Sequence, residues 1–542
     1  MKIHFKTAIT AILLTSAGIG LSCTKLDQKV YSVTPNENFW QTPAQIAAGV
    51  APAYQSLQSI PNGNVYNLNE VSSDEQIVPT RGGDWDDGGK WRQLWLHTWT
   101  PNTGVINDAW NDIFRGIGKI NFILSVVNNL ENPPADLDNI NAELKTLRAY
   151  YYFLAMDLFG NVPLVTDFNV DPNSVTNSPR ADIFNFVETE LKDNLQLLTP
   201  NVDVSTYGRV TKYFSFSLLA RLYLNAGVFT GTPRWNDCRS MCDSVILSGK
   251  YSLETNYFDN FAVKNDNSKE NIFVVPFDNI NIGGNNWEMA TLHYQNQINF
   301  GLSGGPWNGF CSTADFYNSF DTSSVYTLKG NSVFRTFNDA RTGQYLVGQQ
   351  FTPLYTYPPN TNVMYSTTDD ALVLKDAGTA LPIKFDPNVP TISSSSDAFR
   401  LAGVRNIKYF PEQGTAGNQS NDMVIFRLAD IYLMKAEASL RAGVDQANAL
   451  DLVNQIRSRA YGGDASRNWT MADLTLNNLL AERGREMAWE NTRRQDLIRY
   501  GTFGAARKPD KVADPADGTR NIYPIPAAQI IANPTLKQNP GY

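Results

Sequence analysis

The sequence predicts a mostly α fold: helical hairpins of tetratricopeptide type, with an irregular, loop-rich lobe of short strands set between two helical units. Three observations predict it. First, Leu428, Ile431, Tyr432, Met434, Ala438 and Leu440 recur at three- and four-residue steps in the stretch 425–443. Leu450, Val453, Ile456 and Ala460 repeat that period after Gly443, so each segment has one apolar face to bury. Small residues (Ala436, Ala438, Ala442, Ala447, Ala449) stand where two such helices would meet and allow close approach. Second, the fragment LLARLYLNAG at 218–227 shares small-residue spacing and a closing glycine with IYLMKAEASLRAG at 431–443. Helical pairs of this kind bury their faces only by stacking. Third, the character changes over 251–420, where β-like pieces (Asn271–Phe277, Tyr355–Tyr357) alternate with loops rich in Gly, Asn, Ser and Pro. Many aromatics and few charges make this an inserted lobe rather than a free linker.

In chain order, Lys2 and Lys6 precede an apolar run from Ala8 through Leu21, then Ser22–Cys23. The run is too short to span a bilayer and ends beside small residues, so residues 1–22 read as a secretory signal. Cys23 sits as in the lipid-attachment box of bacterial lipoproteins, with Gly20 where that box usually has leucine. Residues 23–38 form a polar tether, and the body spans 39–542, with helical units 39–250 and 421–542. Phe39, Ile46, Val50, Tyr54 and Leu57 give a helical period in 35–59, with Pro43 suited to a first turn. A loop without period covers 69–91. Helices follow at 107–130 and 142–159, the latter stopped by Gly160 and Pro163. An amphipathic segment spans 179–198, and 213–226 pairs with 235–247 as a hairpin. Helix returns over 423–460 and 471–500. In 481–501 acids and arginines stand three to four apart, as in Glu482–Arg485 and Asp496–Arg499. These read as exposed surface pairs of about 0.2–0.5 kcal/mol each.

A chain of 542 residues, 42% hydrophobic and 18% charged, can bury a large core. The formal charge is −8, and removal of the signal takes away two bases and no acids. That balance argues against nucleic-acid or anionic-membrane binding. Beyond Cys23 only Cys238, Cys242 and Cys311 remain. No zinc spacing exists, and Cys238 and Cys242, one helical turn apart, suit a core better than a disulfide. No Walker, dinucleotide or HExxH motif is present, so no cofactor or metal is expected. Gly301–Gly305 matches G-x-S-x-G, but in a loop, and no histidine follows Ser303. Asp84, Asp86 and Asp87 beside Trp85 are the carboxylates a glycosidase would use. The sequence reads as a binding protein with no catalytic residues.

Several segments in fixed order carry a resemblance. They are Ser22–Cys23 followed by Leu26–Asp27, TPNENFWQT from Thr34, NEVSSDE at 69–75 and LRAYYYFLAMDLFGNVPLV at 147–165. GRVTKYFSFSLLARLYL at 208–224, FRLADIYLMKAEA at 426–438, ERGREMAWENTRRQDLIRYG at 482–501 and the tail IPAAQIIANPTLKQNPGY complete it. With these the chain resembles the SusD/RagB family of outer-membrane nutrient-binding lipoproteins of Bacteroidetes over nearly its whole length. The resemblance implies a helical body of four tetratricopeptide-like pairs with a variable lobe. It also implies a non-enzymatic role: capture of oligosaccharides at the cell surface and delivery to a SusC-like TonB-dependent β-barrel.

The family supplies no fixed ligand set, so the candidate site rests on chemistry. Sugar binding needs aromatic faces for the apolar side of a ring and fixed polar groups for hydroxyls. The loop TRGGDWDDGGKW offers Arg81, Asp84 and Trp85, and Asp74 upstream is placed at the same rim. SGGPWNGFC offers Trp307, flanked by Gly305 and Gly309, with Asn308 and Cys311. Trp91, Trp95, Trp99 and Trp110, in or near apolar periodic stretches, are assigned to the core.

Overall fold

The computed structural model describes residues 39–329, 332–352, 355, 363–366 and 373–542. The signal, the tether with Cys23, and residues 356–357 of the second β-like piece lie outside these. The described residues divide into two units, 39–49 and 50–542.

Among the described residues nine helices have eleven residues or more: α1 (Pro43–Gln55), α2 (Gly104–Val127), α3 (Leu137–Phe159), α4 (Arg180–Asn194), α5 (Lys212–Leu224), α6 (Trp235–Ile246), α7 (Leu428–Ala442), α8 (Gln446–Ala460) and α9 (Leu476–Glu486). Each of α2 to α6 packs on the next, so the expected hairpins stack. α7 then packs directly on α6, although the whole lobe separates them in sequence. Lys435 Nζ lies 2.7 Å from Asp243, and Arg239 donates to Ser439 at 3.0 Å across that joint. The lobe is therefore inserted between two neighbouring helices of one stack. α8 and α9 also pack on α7.

α3 lies at the centre, and every residue from Thr146 to Phe159 is buried. A helix buried on all sides needs neighbours all round, and its buried charges Arg148 and Asp157 are paired with Glu190 and Arg494. α2 approaches it through Gly116, where a Cβ would stand 2.4 Å from the Tyr151 ring. Between α7 and α8, Ala429, Leu433 and Ala436 meet Ala449, Val453 and Ile456. Gly443 ends α7 in a left-handed conformation, φ 69°. Of the small residues expected at this joint, Ala442 is half-buried and Ala447 exposed, so the close contact is made by Ala436 and Ala449. Cys238 and Cys242 are buried free thiols, and Trp91, Trp95, Trp99 and Trp110 are buried as expected.

Three expectations change. Met423–Arg427 is not helix but strand β5, paired antiparallel with β1 (Asn271–Val275). Its five buried residues show no period, and the partner strand decides the conformation. The helix expected over 471–500 breaks: α9 ends at Glu486, Trp489 and Asn491 adopt φ 61°, and a short helix resumes at Arg493–Arg499. Gly227 does not stop α5, which ends at Leu224; the left-handed stop is Gly231 after the short helix Ala226–Thr230. In the lobe, β2 (Ser324–Lys329), β3 (Ser332–Phe337) and β4 (Val363–Ser366) form a three-stranded antiparallel sheet.

The charges of 481–501 differ most from expectation. Glu482–Arg485 and Asp496–Arg499 do pair, at 2.6 Å each, but Glu482, Glu486, Arg483, Arg494 and Asp496 are buried. Arg427 donates to Glu270 (2.8 Å), Glu486 (2.6 Å) and Glu490 (2.8 Å). Arg341 reaches Asp339 (2.8 Å), Glu482 (2.8 Å) and Glu486 (3.1 Å). Apart from Glu490, 6% exposed, all of these are fully buried. A buried charge persists only when paired and hydrogen-bonded, which these are. The network fastens the lobe (Glu270, Asp339, Arg341) to the C-terminal helices.

Candidate functional site

Two loops carry the sequence-predicted residues. In the first, Arg81 and Asp84 exchange two backbone hydrogen bonds at 3.0 Å across Gly82–Gly83, a two-residue turn whose Gly82 has φ 65°. The turn is fixed on the lobe, with Thr80 N donating to Ile392 O (2.9 Å) and Gly82 N to Ser394 O (2.7 Å). Trp85 (φ 60°) and Asp87 (φ 41°) are then left-handed without being glycine. Such strain persists only where surroundings over-determine it. Here Trp91 Nε1 donates to Asp87 at 2.8 Å, and Arg92 holds Asp86. In the second loop, the amides of Trp307, Asn308 and Gly309 donate to Met289, Leu292 and Ala290 carbonyls at 2.7–2.9 Å.

The structure brings the two loops together. Ile77 and Cys311 exchange backbone hydrogen bonds of 2.8 and 3.0 Å. Arg81 donates to the carbonyls of Asn308 (2.9 Å), Gly309 (2.7 Å) and Ala402 (3.1 Å), and to Cys311 Sγ (3.3 Å). Trp85 Nε1 donates to Trp307 O at 2.7 Å. A Cβ on Gly309 would stand 2.3 Å from the Trp85 ring, so only glycine admits the indole there.

Burial sorts the candidates. Trp307 is 44% exposed, Asp84 is exposed and Trp85 half-buried. Arg81, Asn308 and Cys311 are buried and face inward. The Asn308 amide is spent on Arg400 O (3.1 Å) and on Arg405, whose Nη2 donates to Oδ1 at 2.7 Å. These three residues shape the loop that presents Trp307. Asp74 has other neighbours: Arg493 grips its carboxylate at 2.7 and 2.9 Å, beside a cavity lined by Trp95 and Phe316.

Two residues escaped the sequence reading. Tyr294 donates to Asp84, and burial, reinforced by that carboxylate, pushes its phenol up to about 12, so it stays a donor. Phe310 packs on Trp85 and Trp91 with ring centroids 5.5 Å from each. Tyr294 had no local signal, since its partner lies 210 residues away. Phe310 adjoins the glycine-flanked tryptophan and could have been found there. The rings touching Trp85 are thus Trp91 and Phe310, and its link to Trp307 is a hydrogen bond. Asp84, Asp86 and Asp87 each hold a partner in Tyr294, Arg92 and Trp91. Ser303 is exposed, in the turn after the short helix Asn296–Phe300 rather than between strand and helix. The arrangement offers an exposed indole, a half-buried indole and an oriented carboxylate–phenol pair, suited to stacking and hydrogen bonding. No cluster of three or more metal-ligating side chains occurs among the described residues.

Comparison with known proteins bears on this arrangement. The model of the SusD family matches residues 269–542, and a second, described as starch-binding associating with outer membrane, matches 26–224. The starch-binding protein SusD of Bacteroides thetaiotaomicron is 26% identical over 88% of this chain and 85% of its own. A SusD superfamily protein of Parabacteroides distasonis superposes with TM-score 0.70 at 22% identity, covering 92% of this chain and 99% of that one. A laminarin-binding SusD-like protein superposes with TM-score 0.67 at 22% identity, over 93% and 100%. With a family model matching half its length and stacked hairpins shared with these structures, the chain belongs to the SusD family.

Proposed function

We propose that the chain is a non-catalytic glycan-binding protein, held at the outer membrane by a lipid on Cys23, that captures oligosaccharides and passes them to a SusC-like TonB-dependent β-barrel. The observation that carries the reading is Trp307, a large indole left 44% exposed on a loop that Arg81 fixes from below. Beside it stand Trp85 and the Asp84–Tyr294 pair. A hydroxyl-rich ligand exchanges water hydrogen bonds for similar ones and gains little from them, so stacking supplies much of the net affinity. Two relatives, named for starch and for laminarin, support carbohydrate as the ligand class. Among the described residues no helix is long and apolar enough to cross a membrane, in keeping with a lipid as the anchor.

The test is calorimetry of the chain lacking its signal against a panel of neutral α- and β-linked oligosaccharides. Trp307→Ala is expected to weaken the bound glycan by at least about thirtyfold, a loss of about 2 kcal/mol typical of a hot-spot tryptophan. Affinity unchanged in a folded Trp307→Ala variant would place the site elsewhere and overturn the reading.

A further inference from the structure

Three carboxylates crowd the first tryptophan loop, and two of them have a cation in contact. Arg92 holds Asp86 at 2.5 Å, and Lys90 Nζ lies 3.3 Å from Asp87. Asp84, exposed beside Trp85, forms no ion pair among the described residues. Its side-chain partner is Tyr294, a neutral phenol that donates to Oδ2. Tyr294 also borders the second loop, its carbonyl 3.7 Å from where a Cβ on Gly305 would stand. The Asp84–Tyr294 pair thus spans the two loops beside the exposed indole of Trp307. Other cations stand near. Arg81 and Arg405 are buried and donate to the carbonyls of Asn308, Gly309, Ala402 and Gly403, on the inner side of the second loop. Arg400 is half-buried and faces a carboxylate of its own: its Nη1 and Asp376 Oδ1 stand 3.2 and 3.3 Å from the Cβ position of Gly378. The charges of Arg81 and Arg400 are felt at Tyr294.

A carboxylate only accepts, and Tyr294 fills one of the several sites Asp84 offers to donors. Free hydroxyls of a sugar stacked on Trp307 are donors of the required kind. A hydrogen bond to an ionised acceptor is also about twice as strong as one between neutral groups. A sulfate or carboxylate in the same place has no proton to give and brings a like charge into contact. Coulomb energy falls with distance, so this contact outweighs the arginines behind the loop backbone. We propose that Asp84 is the specificity-determining residue of the tryptophan loops: it accepts from free hydroxyls of a neutral glycan and turns away glycans bearing sulfate or carboxylate at that position. The inference rests on the glycan-binding reading and names the class of glycan that the same site selects.

The experiment titrates the chain lacking its signal, by calorimetry at low and high salt, with five probes. They are laminarihexaose and maltohexaose, the O-sulfated form of each, and hexagalacturonate. The neutral hexasaccharide that binds is expected to bind at least about tenfold more tightly than its sulfated form and than hexagalacturonate. That ratio should shrink at high salt, because the carboxylate is exposed and its charge is screened. Asp84→Asn, at an exposed position, keeps the shape and an oxygen for Tyr294 but removes the charge. It should weaken the neutral hexasaccharide by about tenfold and narrow the ratio to about threefold or less. A merely structural role for Asp84 would weaken every probe alike and leave the ratio unchanged. Sulfated or uronic probes bound as tightly as neutral ones, a ratio indifferent to salt, or an unchanged ratio in Asp84→Asn each overturns this inference and leaves the glycan-binding reading standing. A chain that binds none of the five overturns the inference together with the reading it rests on.

Discussion

Gly309 has no side chain, and the Trp85 indole occupies the space where one would be. Gly309→Ala should therefore expel the indole and break its hydrogen bond to Trp307 O. The expected outcome is a loss of glycan affinity comparable to Trp85→Ala, with overpacking costing about 1–3 kcal/mol of stability; a crystal structure with Trp85 unmoved would refute it. Glu70 poses a different residue-scale problem. It is fully buried, and Glu75 lies against it. Burial raises its pKa to about 8, opposed by its hydrogen bond to Glu75 and the charges of Lys408 and Arg493. A folded-state pKa above the unfolded value means the native state holds the proton more tightly. The stabilisation is then complete below about 4.5 and is lost as pH rises toward about 8. Urea midpoints should fall between pH 5 and pH 8 in the wild type and fall less in Glu70→Gln; equal slopes would disprove the assignment.

At the scale of elements, the Arg427 network joins β5, the lobe and α9. Arg427→Ala removes one member and leaves Glu270, Glu486 and Glu490 buried without it. The expected destabilisation is about 3–5 kcal/mol by denaturant titration, far above the few tenths expected of an exposed pair. The contrast shows where sequence reasoning stopped. Period and punctuation are local, so the α7–α8 hairpin and its stop at Gly443 could be read directly. Glycine-flanked Trp85 and Trp307 stood out for the same reason, and the fold joins their loops. The burial of Glu482 and Glu486 depends on Arg341, Arg427, Arg457 and Arg459, supplied by elements far along the chain. Likewise Arg81 looked like a ligand contact, because nothing near it reveals that Asn308, Gly309 and Ala402 carbonyls converge on its guanidinium. β5 was missed because five consecutive buried residues, four of them apolar and the last Arg427, have no face to display.

For the whole molecule, the proposed function requires an anchor and a recipient. Cys23→Ala should move the protein from the membrane fraction to the soluble fraction; retention at wild-type level would contradict lipid anchoring. Purification in mild detergent through a tag on this chain should recover a large β-barrel, and its absence would count against delivery. The lobe's position between α6 and α7 has a further consequence, for the order of assembly. α6 emerges with Cys238, Cys242 and Val245 on an apolar face, yet the helix that covers part of it begins only at Leu428. Closing so long a loop carries an entropic cost that only later contacts repay, and such non-local pairing slows folding. A newly made chain therefore holds a half-built stack with one sticky end until the lobe has been delivered, and during that interval it is most exposed to aggregation and proteolysis.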